Sequence, residues 1–362
     1  MQTLETYFSE IEDKRRSEGK RYAQAKLLTA IVIAIMGGAK SFRDIDRFLS
    51  NNIDDLKQYL AWERDATPSH EKIRTFIGSL DFEQVNHAFC LWVNERIRLQ
   101  EGDWVALDGK AMRSTLQDVH TPFQNFASMV SAFTHERNLV IDQQSYAQNK
   151  EQHEHGIVMQ IIERLENKGL ILTLDALHCQ KSLVKIDELE QFYVVAVKGN
   201  TSRLFAEFKQ LAVGEALSVF NSQIKRKNKQ IESQVRVYPC RDWVSQNWAS
   251  SKRMIVVHNK YLQNNGTYHH EYRFYLSNIC HDNAEYFAKG IMQHWQIENK
   301  LHWVKDVQLN EDKSFIRNKN TAACYSVLMS WALNIARFNG FNKWKDWLAR
   351  FANRIDRIVK MI

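Results

Sequence analysis

The sequence has 362 residues, with 49 lysines and arginines against 42 aspartates and glutamates, which leaves a net charge of +7. Apolar residues make up 44% and charged residues 25%, so the composition is that of a folded globular protein and excludes pervasive disorder. The most apolar stretch, residues 27–36, is shorter than the roughly 20 residues that span a membrane. Since the N-terminus also lacks a signal-peptide pattern, we expect a cytoplasmic protein with no membrane contact.

The charges are distributed unevenly along the chain. Residues 101–200 carry 9 basic and 14 acidic side chains, whereas residues 201–300 carry 14 and 8, and residues 301–362 carry 11 and 5. An acidic centre followed by a basic half favours metal-binding carboxylates beside a surface for a polyanion. For each basic run taken alone, a solvated surface loop is the alternative.

The first 100 residues are predicted to form a helical domain. Apolar residues recur at intervals of three or four through residues 27–35 and 42–49, which is the period of an amphipathic helix. Ser41 and Thr67 are predicted N-caps, the latter followed by a proline at the first helical position. A further helix is predicted over residues 81–99.

Residues 101–362 are predicted to form an α/β domain with a mixed sheet. Short apolar runs predict buried strands, and they alternate with helical patterns. The predicted strands are 104–107, 126–133, 138–146, 170–174 and 192–197, and the predicted helices are 154–168 and 179–190. Residues 201–282 form a basic, β-rich insertion with strands at 233–238, 253–258 and 271–276, and residues 283–362 return to helices at 283–307, 321–338 and 343–360.

Two of the predicted buried strands end in an aspartate, namely Asp108 and Asp175. Ligands collect at the carboxyl ends of strands in an open α/β sheet, and two neighbouring carboxylates there repel unless a divalent cation neutralises them. The alternative is that Asp108-Gly109 forms a turn and that Asp175 caps the following helix. The residues alone leave both interpretations open.

A third acid is available on the predicted helix 283–307. On α-helical spacing, Glu298 shares a face with His294, His302 and Lys305. A carboxylate beside polar and cationic groups suits a site that holds metal and phosphate. A solvated Glu–His–Lys face explains the same spacing.

Longer motifs make the sequence recognisable as similar to the DDE transposases of bacterial insertion sequences, of the H-repeat-associated (ISAs-type) group. The matching strings are Leu107-Asp108-Gly109-Lys110-x-x-Arg113, Leu174-Asp175-Ala176-Leu177-His178-Cys179-Gln180-Lys181, Val197-Lys198-Gly199-Asn200 and His294-Trp295-x-Ile297-Glu298-Asn299-x-Leu301-His302-Trp303. The resemblance extends over nearly the whole chain, including a helical N-terminal transposase-associated domain.

This resemblance implies an RNase H-like catalytic core in which Asp108, Asp175 and Glu298 are both the catalytic triad and the metal ligands. The implied cofactor is a pair of Mg²⁺ ions, for which Mn²⁺ can substitute. The expected contacts to DNA phosphates are the polar residues of the same motifs: Lys110, Arg113, His178, Lys198, Asn200, His294 and Lys305.

The resemblance further implies cleavage at element ends and strand transfer into target DNA. The expected partners are double-stranded DNA, as terminal inverted repeats and as target, and a second copy in a homodimer on DNA, associated with the nucleoid. Two alternatives stay open: a catalytically defective, transposase-derived DNA-binding protein, and an RNase H-like structure-selective nuclease that cuts without joining.

Overall fold

The structure is a computed structural model that describes residues 2–117, 125–147, 151–165, 168–179, 181–211, 214–226, 229–248, 250–263 and 266–362. The chain divides into two compact units. The first unit comprises Met1–Arg98, Gly109–Ile157 and Ile297–Ile362, and the second comprises Leu99–Asp108 and Val158–Gln296.

The described residues contain both helices and strands throughout. The α-helices are α1 Leu4–Ser9, α2 Gln24–Met36, α3 Phe42–Asn51, α4 Ile53–Leu60, α5 His70–Ser79, α6 Phe82–Arg96, α7 Glu151–Arg164, α8 Lys181–Glu188, α9 Ser202–Leu211, α10 Asp242–Asn247, α11 Ala284–His294, α12 Lys319–Phe338, α13 Trp344–Phe351 and α14 Ile355–Ile358. The strands are β1 Trp104–Gln117, β2 Asn125–Thr134, β3 Val140–Ala147, β4 Ile171–Leu174, β5 Phe192–Val197, β6 Ser218–Arg226, β7 Lys229–Pro239, β8 Arg253–Leu262 and β9 Tyr268–Ser277. Two π-helical segments, Ile297–His302 and Val304–Gln308, follow α11.

A mixed sheet forms the second unit. The first residues of β1 pair in parallel with β4, and β4 pairs in parallel with β5. β9 joins the other edge of β5 in the antiparallel direction, and β8, β7 and β6 continue the sheet as antiparallel neighbours. The insertion therefore extends the parallel strands of the core.

Helix α11 covers one face of this sheet. Phe287, Ala288 and Ile291 of the helix are buried against Val235, Val237, Ile255 and Val257 of β7 and β8, together with Ile171 and Val194. Burying a side chain of this kind stabilises the fold by about 1.5–3 kcal/mol. Gly290 lies where the helix meets the ring of Trp104.

The first unit is built around α2 and α12, whose apolar residues are buried on almost every side. Trp331 of α12 contacts Phe8 and Phe89, with edge-to-face geometry and ring centroids 4.6 Å and 5.2 Å away. Asn334 on the same helix accepts a bond from the backbone N–H of Val140 at 3.1 Å and donates to its carbonyl at 2.7 Å. The antiparallel pair β2–β3 is thereby attached to α12.

A buried ion cluster lies inside the first unit. The Lys110 ammonium group, whose side chain is only 11% exposed, donates to the carboxylates of Asp306 and Glu311. Lys305 is 3% exposed, and its Nζ donates to Gln143 Oε1 at 3.0 Å and to the backbone carbonyl and hydroxyl of Ser326 at 3.0 and 2.9 Å. β1, β3, α12 and the segment after α11 are thus connected through charged side chains.

The charges in this cluster support one another. Burial alone would raise the pKa of Glu311, but the ammonium groups of Lys110 and Lys305 outweigh it and lower that pKa to about 2. Burial lowers the pKa of Lys305 to about 8, against the opposing charge of Glu311. Counter-charges thus outweigh burial at Glu311, whereas burial outweighs the charge of Glu311 at Lys305. Removing one partner of such a buried pair leaves the other charge uncompensated.

The predicted fold class, an RNase H-like mixed-sheet α/β core with a β-rich insertion, an N-terminal helical region and C-terminal helices, is confirmed. Ser41 caps α3 as predicted, accepting from the N–H of Asp44 at 3.1 Å. Thr67 does not cap α5, because its hydroxyl bonds to Ser50, and the first N–H of that helix donates to the Asp46 carboxylate instead.

Several helices and strands differ from the sequence prediction. The predicted helix 283–307 is α-helical only as far as His294 and then widens into the π-helical segments. The predicted helix 343–360 breaks near Asn353, whose φ is +55°. α9, β6 and α10 in the insertion were not predicted. Among the described residues, none of the helices has the length and apolar character required to cross a membrane.

The contact between Gly290 and Trp104 yields a stability prediction. A β-carbon on Gly290 would lie 2.2 Å from two atoms of the Trp104 ring, so Gly290→Ala forces the ring or the helix to move. We expect a loss of about 1–3 kcal/mol in the free energy of unfolding, measured by urea denaturation. Gly156→Ala in α7 is the matched control, because nothing lies within 4 Å of its β-carbon; it should gain about 0.5–1 kcal/mol. Equal effects of the two changes would contradict the packing described.

The ion cluster yields a second prediction. Lys110→Met leaves Asp306 and Glu311 without their shared counter-charge, so we expect a loss of about 3–5 kcal/mol in the free energy of unfolding. Lys57→Met removes a lysine of similar length from an exposed pair with Asp65 and should change stability little. If both variants unfold at the same urea concentration as the parent protein, the cluster does not stabilise the fold.

The lowered pKa of Glu311 leads to a prediction of how the free energy of unfolding depends on pH. Its pKa is about 2 in the folded protein against an ordinary value of 4.5, so the unfolded chain binds a proton between these values while the folded chain does not. The free energy of unfolding should therefore fall as pH drops from about 4.5 to 2. Thermal melts across this range should show a shallower decline for Glu311→Gln than for the parent protein. Parallel declines would count against the ion cluster as an acid-sensitive element.

Candidate active site

Asp108 and Asp175 occupy equivalent positions on adjacent parallel strands. β1 and β4 pair with Ala106 opposite Thr173, and each aspartate lies two residues beyond this pair. Asp175 directly follows β4, whereas β1 continues through Asp108 to Gln117, so the prediction that this strand ends at Asp108 is wrong. Equal spacing from a paired position puts both side chains on the same face at the carboxyl edge of the sheet. The second unit therefore places Asp108 and Asp175 on one face of the sheet, near the carboxyl end of β4.

The ammonium group of Lys198 forms an ion pair with the Asp175 carboxylate. Lys198 follows β5, the next parallel strand, and its Nζ lies 2.9 Å from Oδ1 and 3.3 Å from Oδ2 of Asp175. Burial would raise the pKa of the Asp175 carboxyl, but hydrogen bonds from Lys198 and from the N–H of Ala176 make the net shift downward. Asp175 is thus held as a carboxylate, and the 65% exposed Lys198 side chain stays open to a further anion.

The loop after Asp175 is fixed by two hydrogen bonds. Asp175 accepts from the N–H of Ala176 at 2.7 Å and caps the short 3-10 helix Ala176–His178, as the structural alternative predicted. Asn200 donates to the Ala176 carbonyl at 2.9 Å, so it holds the loop that carries the carboxylate. His178 is 1% exposed, which places it in the interior of the second unit rather than on a DNA-facing surface.

His294 lies at the end of α11 and bonds to a residue on the Asp175 strand. Its Nδ1 is 2.8 Å from Thr173 Oγ1. Burial lowers the pKa of His294 to about 4, although the charge of Asp175 acts in the opposite direction. At neutral pH His294 is therefore uncharged, and any contact with phosphate would be a neutral hydrogen bond rather than an ion pair.

Gly109 lies inside β1 and does not form the turn that the alternative interpretation required. A β-carbon at this position would lie 2.8–3.0 Å from the Glu154 carboxyl group, so only glycine allows that carboxyl to approach the strand. Glu154 also accepts from the Tyr146 hydroxyl at 2.9 Å. The sequence analysis missed Glu154, and the glycine directly after Asp108 was the signal that could have indicated a close neighbour.

Glu298 belongs to the first unit and is exposed in the segment Ile297–His302. The wider π-helical turns change the spacing on which the predicted shared face rested. Lys305 is buried while Glu298 is exposed, so these two residues do not share a solvent face. π-helical turns are frequent at functional sites, which is consistent with a specialised role for this segment.

Two predicted phosphate contacts lie in the protein interior instead. Lys110 is held by Asp306 and Glu311, and Lys305 by Gln143 and Ser326, so neither ammonium group is available to DNA. The sequence could not show this, because Asp306 and Glu311 meet Lys110 only after folding. Arg113, by contrast, has an exposed side chain, and its N–H donates to Asp312 Oδ1 at 3.2 Å.

The predicted residues therefore fall into two sets. The second unit brings together Asp108, Asp175, Lys198 and Asn200, with His294 bonded to Thr173 nearby on the same strand. The first unit holds Glu298, Arg113 and the buried Lys110 and Lys305. Within the described part of each unit, no three His, Cys, Asp or Glu side chains are arranged to hold a metal ion.

Comparison with known proteins connects these residues to a family. Residues 103–335 match the family described as "Transposase DDE domain", and residues 5–93 match the one described as "DDE_Tnp_1-associated". The first match covers more than half of the chain and includes every predicted site residue.

Similar proteins occur in Escherichia coli. The chain is 28% identical to "Putative transposase YncI" of strain O157:H7 over 348 residues, which is 93% of this chain and 88% of that protein. It is 27% identical to "H repeat-associated putative transposase YhhI" of strain K12 over 347 residues, or 92% of this chain and 90% of that protein. On the family match to residues 103–335, this chain belongs to the DDE transposase family.

Proposed function

We propose that this protein is a transposase that cleaves DNA at the ends of its element and joins them to target DNA, using divalent metal ions. The observation that carries the proposal is that Asp108, within β1, and Asp175, directly after β4, each lie two residues beyond the paired Ala106 and Thr173 of these parallel strands. Membership of the DDE transposase family supports the assignment of these aspartates to the reaction. Glu298 is proposed as the third acid on the family resemblance.

The donor set of the second unit fits a hard divalent cation. Asp108 and Asp175 offer carboxylate oxygens, the ligands that Mg²⁺ prefers, and the downward pKa shift of Asp175 keeps it ionised. Lys198 shows that this position already attracts a cation. Asp108, Asp175 and Glu298 would hold the two Mg²⁺ or Mn²⁺ ions, which when bound supply Lewis-acid activation of the nucleophile and stabilise the leaving oxygen.

The chain's own residues position the DNA for two successive reactions. In the first, water attacks a phosphodiester phosphorus and the P–O3′ bond breaks, which leaves a 3′-hydroxyl and a 5′-phosphate. In the second, that hydroxyl attacks a target phosphodiester, and one P–O bond replaces another, so no external energy source is needed. Asp175 is held rigid by Ala176 and Asn200, which fixes one wall of the site through both steps.

Lys198, Arg113 and His294 are the proposed contacts to DNA phosphates. Lys198 and Arg113 have exposed cationic side chains, and either can pair with a phosphate without leaving a buried charge behind. His294 contributes as a neutral group, and Asn200 acts by holding the loop of Asp175. His178, Lys110 and Lys305 are buried in the protein interior, so they are not among the proposed phosphate contacts.

The proposed partners are double-stranded DNA, as terminal inverted repeats and as target, and a second copy of the chain on that DNA. Joining two element ends in one event is most simply done by two protomers, which is the reason for proposing a homodimer. Because its substrate is chromosomal DNA, we propose that the protein acts in the cytoplasm at the nucleoid.

An excision and integration assay tests the proposed function. A selectable marker is placed between the DNA segments that flank the gene, and the parent protein is compared with Asp108→Asn, Asp175→Asn and Glu298→Gln. We expect marker movement with the parent protein and a loss of at least about 100-fold in each variant, as for removal of one electrostatic group from a phosphoryl-transfer site. Purified protein should cleave the same DNA with Mg²⁺ and lose cleavage in excess EDTA.

Glu285→Gln in α11 is the matched control, because it removes a half-exposed carboxylate that forms an ion pair with Lys289 in the next turn. Cleavage without marker integration would support the nuclease alternative. Metal-independent DNA binding without cleavage would support the defective, DNA-binding alternative. Full movement with Glu298→Gln would remove Glu298 from the mechanism.

A further inference from the structure

Phe315 is an exposed aromatic residue on a strained backbone. Its side chain is 90% exposed, the highest value among the large apolar residues that the structure describes. Its φ is +55°, in the left-handed region that a residue with a bulky side chain rarely adopts. Hydration and backbone geometry both disfavour this placement, so the surrounding contacts must impose it.

The chain on both sides of Phe315 is firmly anchored. On one side, Glu311 is bound in the ion cluster with Lys110, and its carbonyl accepts from the Ser314 hydroxyl at 2.7 Å. On the other side, Ile316 is buried and Asn318 caps α12 by accepting from the N–H of Thr321 at 2.9 Å. The Phe315 loop, residues 310–318, therefore presents its aromatic ring on a rigid base.

Cationic residues lie on both sides of Phe315 along the chain. Lys313 and Arg317 are both exposed, and no carboxylate among the described residues forms an ion pair with either of them. Arg113 approaches the same loop, since its N–H bonds to the Asp312 carboxylate, and its side chain is exposed as well. Asp312 is the acid at this surface, while Glu311 is neutralised by Lys110.

We propose that the Phe315 loop is a DNA-binding element in which Phe315 stacks on or between bases of duplex DNA while Arg113, Lys313 and Arg317 bind the flanking phosphates. The inference rests on the proposed function. A polyanion with flat, stackable faces satisfies the exposed ring and the unpaired cations together. A single apolar residue among three cations offers too little apolar area for a stable protein interface. Its rigid support suits a wedge, because a mobile side chain would move aside rather than unstack a base.

Permanganate oxidation of unstacked thymines tests the wedge. Full-length protein is bound to duplex DNA from the gene's flanks, and reactive thymines are mapped for the parent protein, Phe315→Ala and Phe315→Trp. We expect protein-dependent reactive thymines with the parent protein and with Phe315→Trp, and their loss with Phe315→Ala. The affinity of Phe315→Ala should fall roughly 5- to 150-fold, the range measured when one stacked aromatic is removed.

The cations are tested through the salt dependence of binding. Lys313→Gln and Arg317→Gln should each reduce the slope of log K against log salt concentration by about 1. Lys345→Gln on α13 and Leu91→Ala on α6 are matched controls, since each alters an exposed side chain elsewhere in the first unit. An equal effect of Lys345→Gln would show a general charge effect and overturn the assignment of the loop.

Folding is monitored separately. Phe315→Gly suits the left-handed backbone, so its melting temperature should not fall, while its DNA distortion should be lost. Unchanged thymine reactivity and affinity in Phe315→Ala would overturn the proposal. So would a change confined to self-association, measured by sedimentation, because it would show that the ring contacts a second copy.

These results are distinguishable from failure of the proposed function. If the parent protein excises the marker and Phe315→Ala does so equally with unchanged DNA reactivity, only the present inference fails. If the parent protein neither binds the flanking duplex nor excises the marker, the proposed function fails and this inference fails with it.

Discussion

The parallel pairing of β1 with β4 is the constraint on which the candidate site depends. Backbone hydrogen bonds fix the register at Trp104, Val105 and Ala106, and this register determines where Asp108 and Asp175 lie. A slip of one residue would send Asp108 to the opposite face of the sheet. The apolar residues beside Ala106 are buried, so such a slip would also expose the core. Hydrophobic burial therefore fixes the position of a charged residue.

The same pairing creates an electrostatic problem that neighbouring residues reduce. Two carboxylates at one edge repel each other, and removing them from water makes ionisation costly. Lys198 and the N–H of Ala176 offset this cost at Asp175, and Asn200 keeps the loop in place. The Asp175 carboxylate is thus kept ionised and in place by the backbone of its own loop and by two side chains, Lys198 and Asn200, of the loop after β5.

In the first unit, several charged side chains are buried in the core rather than exposed at a surface. Lys110, Asp306 and Glu311 form a cluster in which each group depends on the others, and Lys305 is held by polar groups of β3 and α12. Removing one partner from such a cluster is destabilising, because it leaves an uncompensated charge in the interior. Here the cluster anchors the start of the Phe315 loop, so that a buried electrostatic arrangement fixes an exposed aromatic residue.

The prediction from sequence succeeded where local signals act and failed where distant residues meet. The period of apolar residues identified α2, α3, α6 and the strands β4 and β5, and Ser41 was identified as a cap from its residue type. The prediction that Thr67 caps α5 was wrong, because the carboxylate of Asp46 in α3 accepts from the first N–H of α5. The widening after His294 was also missed, since hydrophobic period does not distinguish α- from π-helical turns over so short a segment.

The amino-acid sequence was sufficient for the mixed α/β class, the β-rich insertion and the family, because these depend on residue type and spacing along the chain. It predicted that a strand ends at Asp108, whereas β1 continues to Gln117. It was not sufficient for the roles of the lysines. Lys110, Lys198 and Lys305 are the same residue type but differ in their surroundings. Lys110 lies in an ion cluster, and Lys198 binds Asp175 and stays exposed. Lys305 is buried and donates its hydrogen bonds to neutral polar groups. Burial and counter-charge separate these roles, and both are properties of residues brought together from distant parts of the chain.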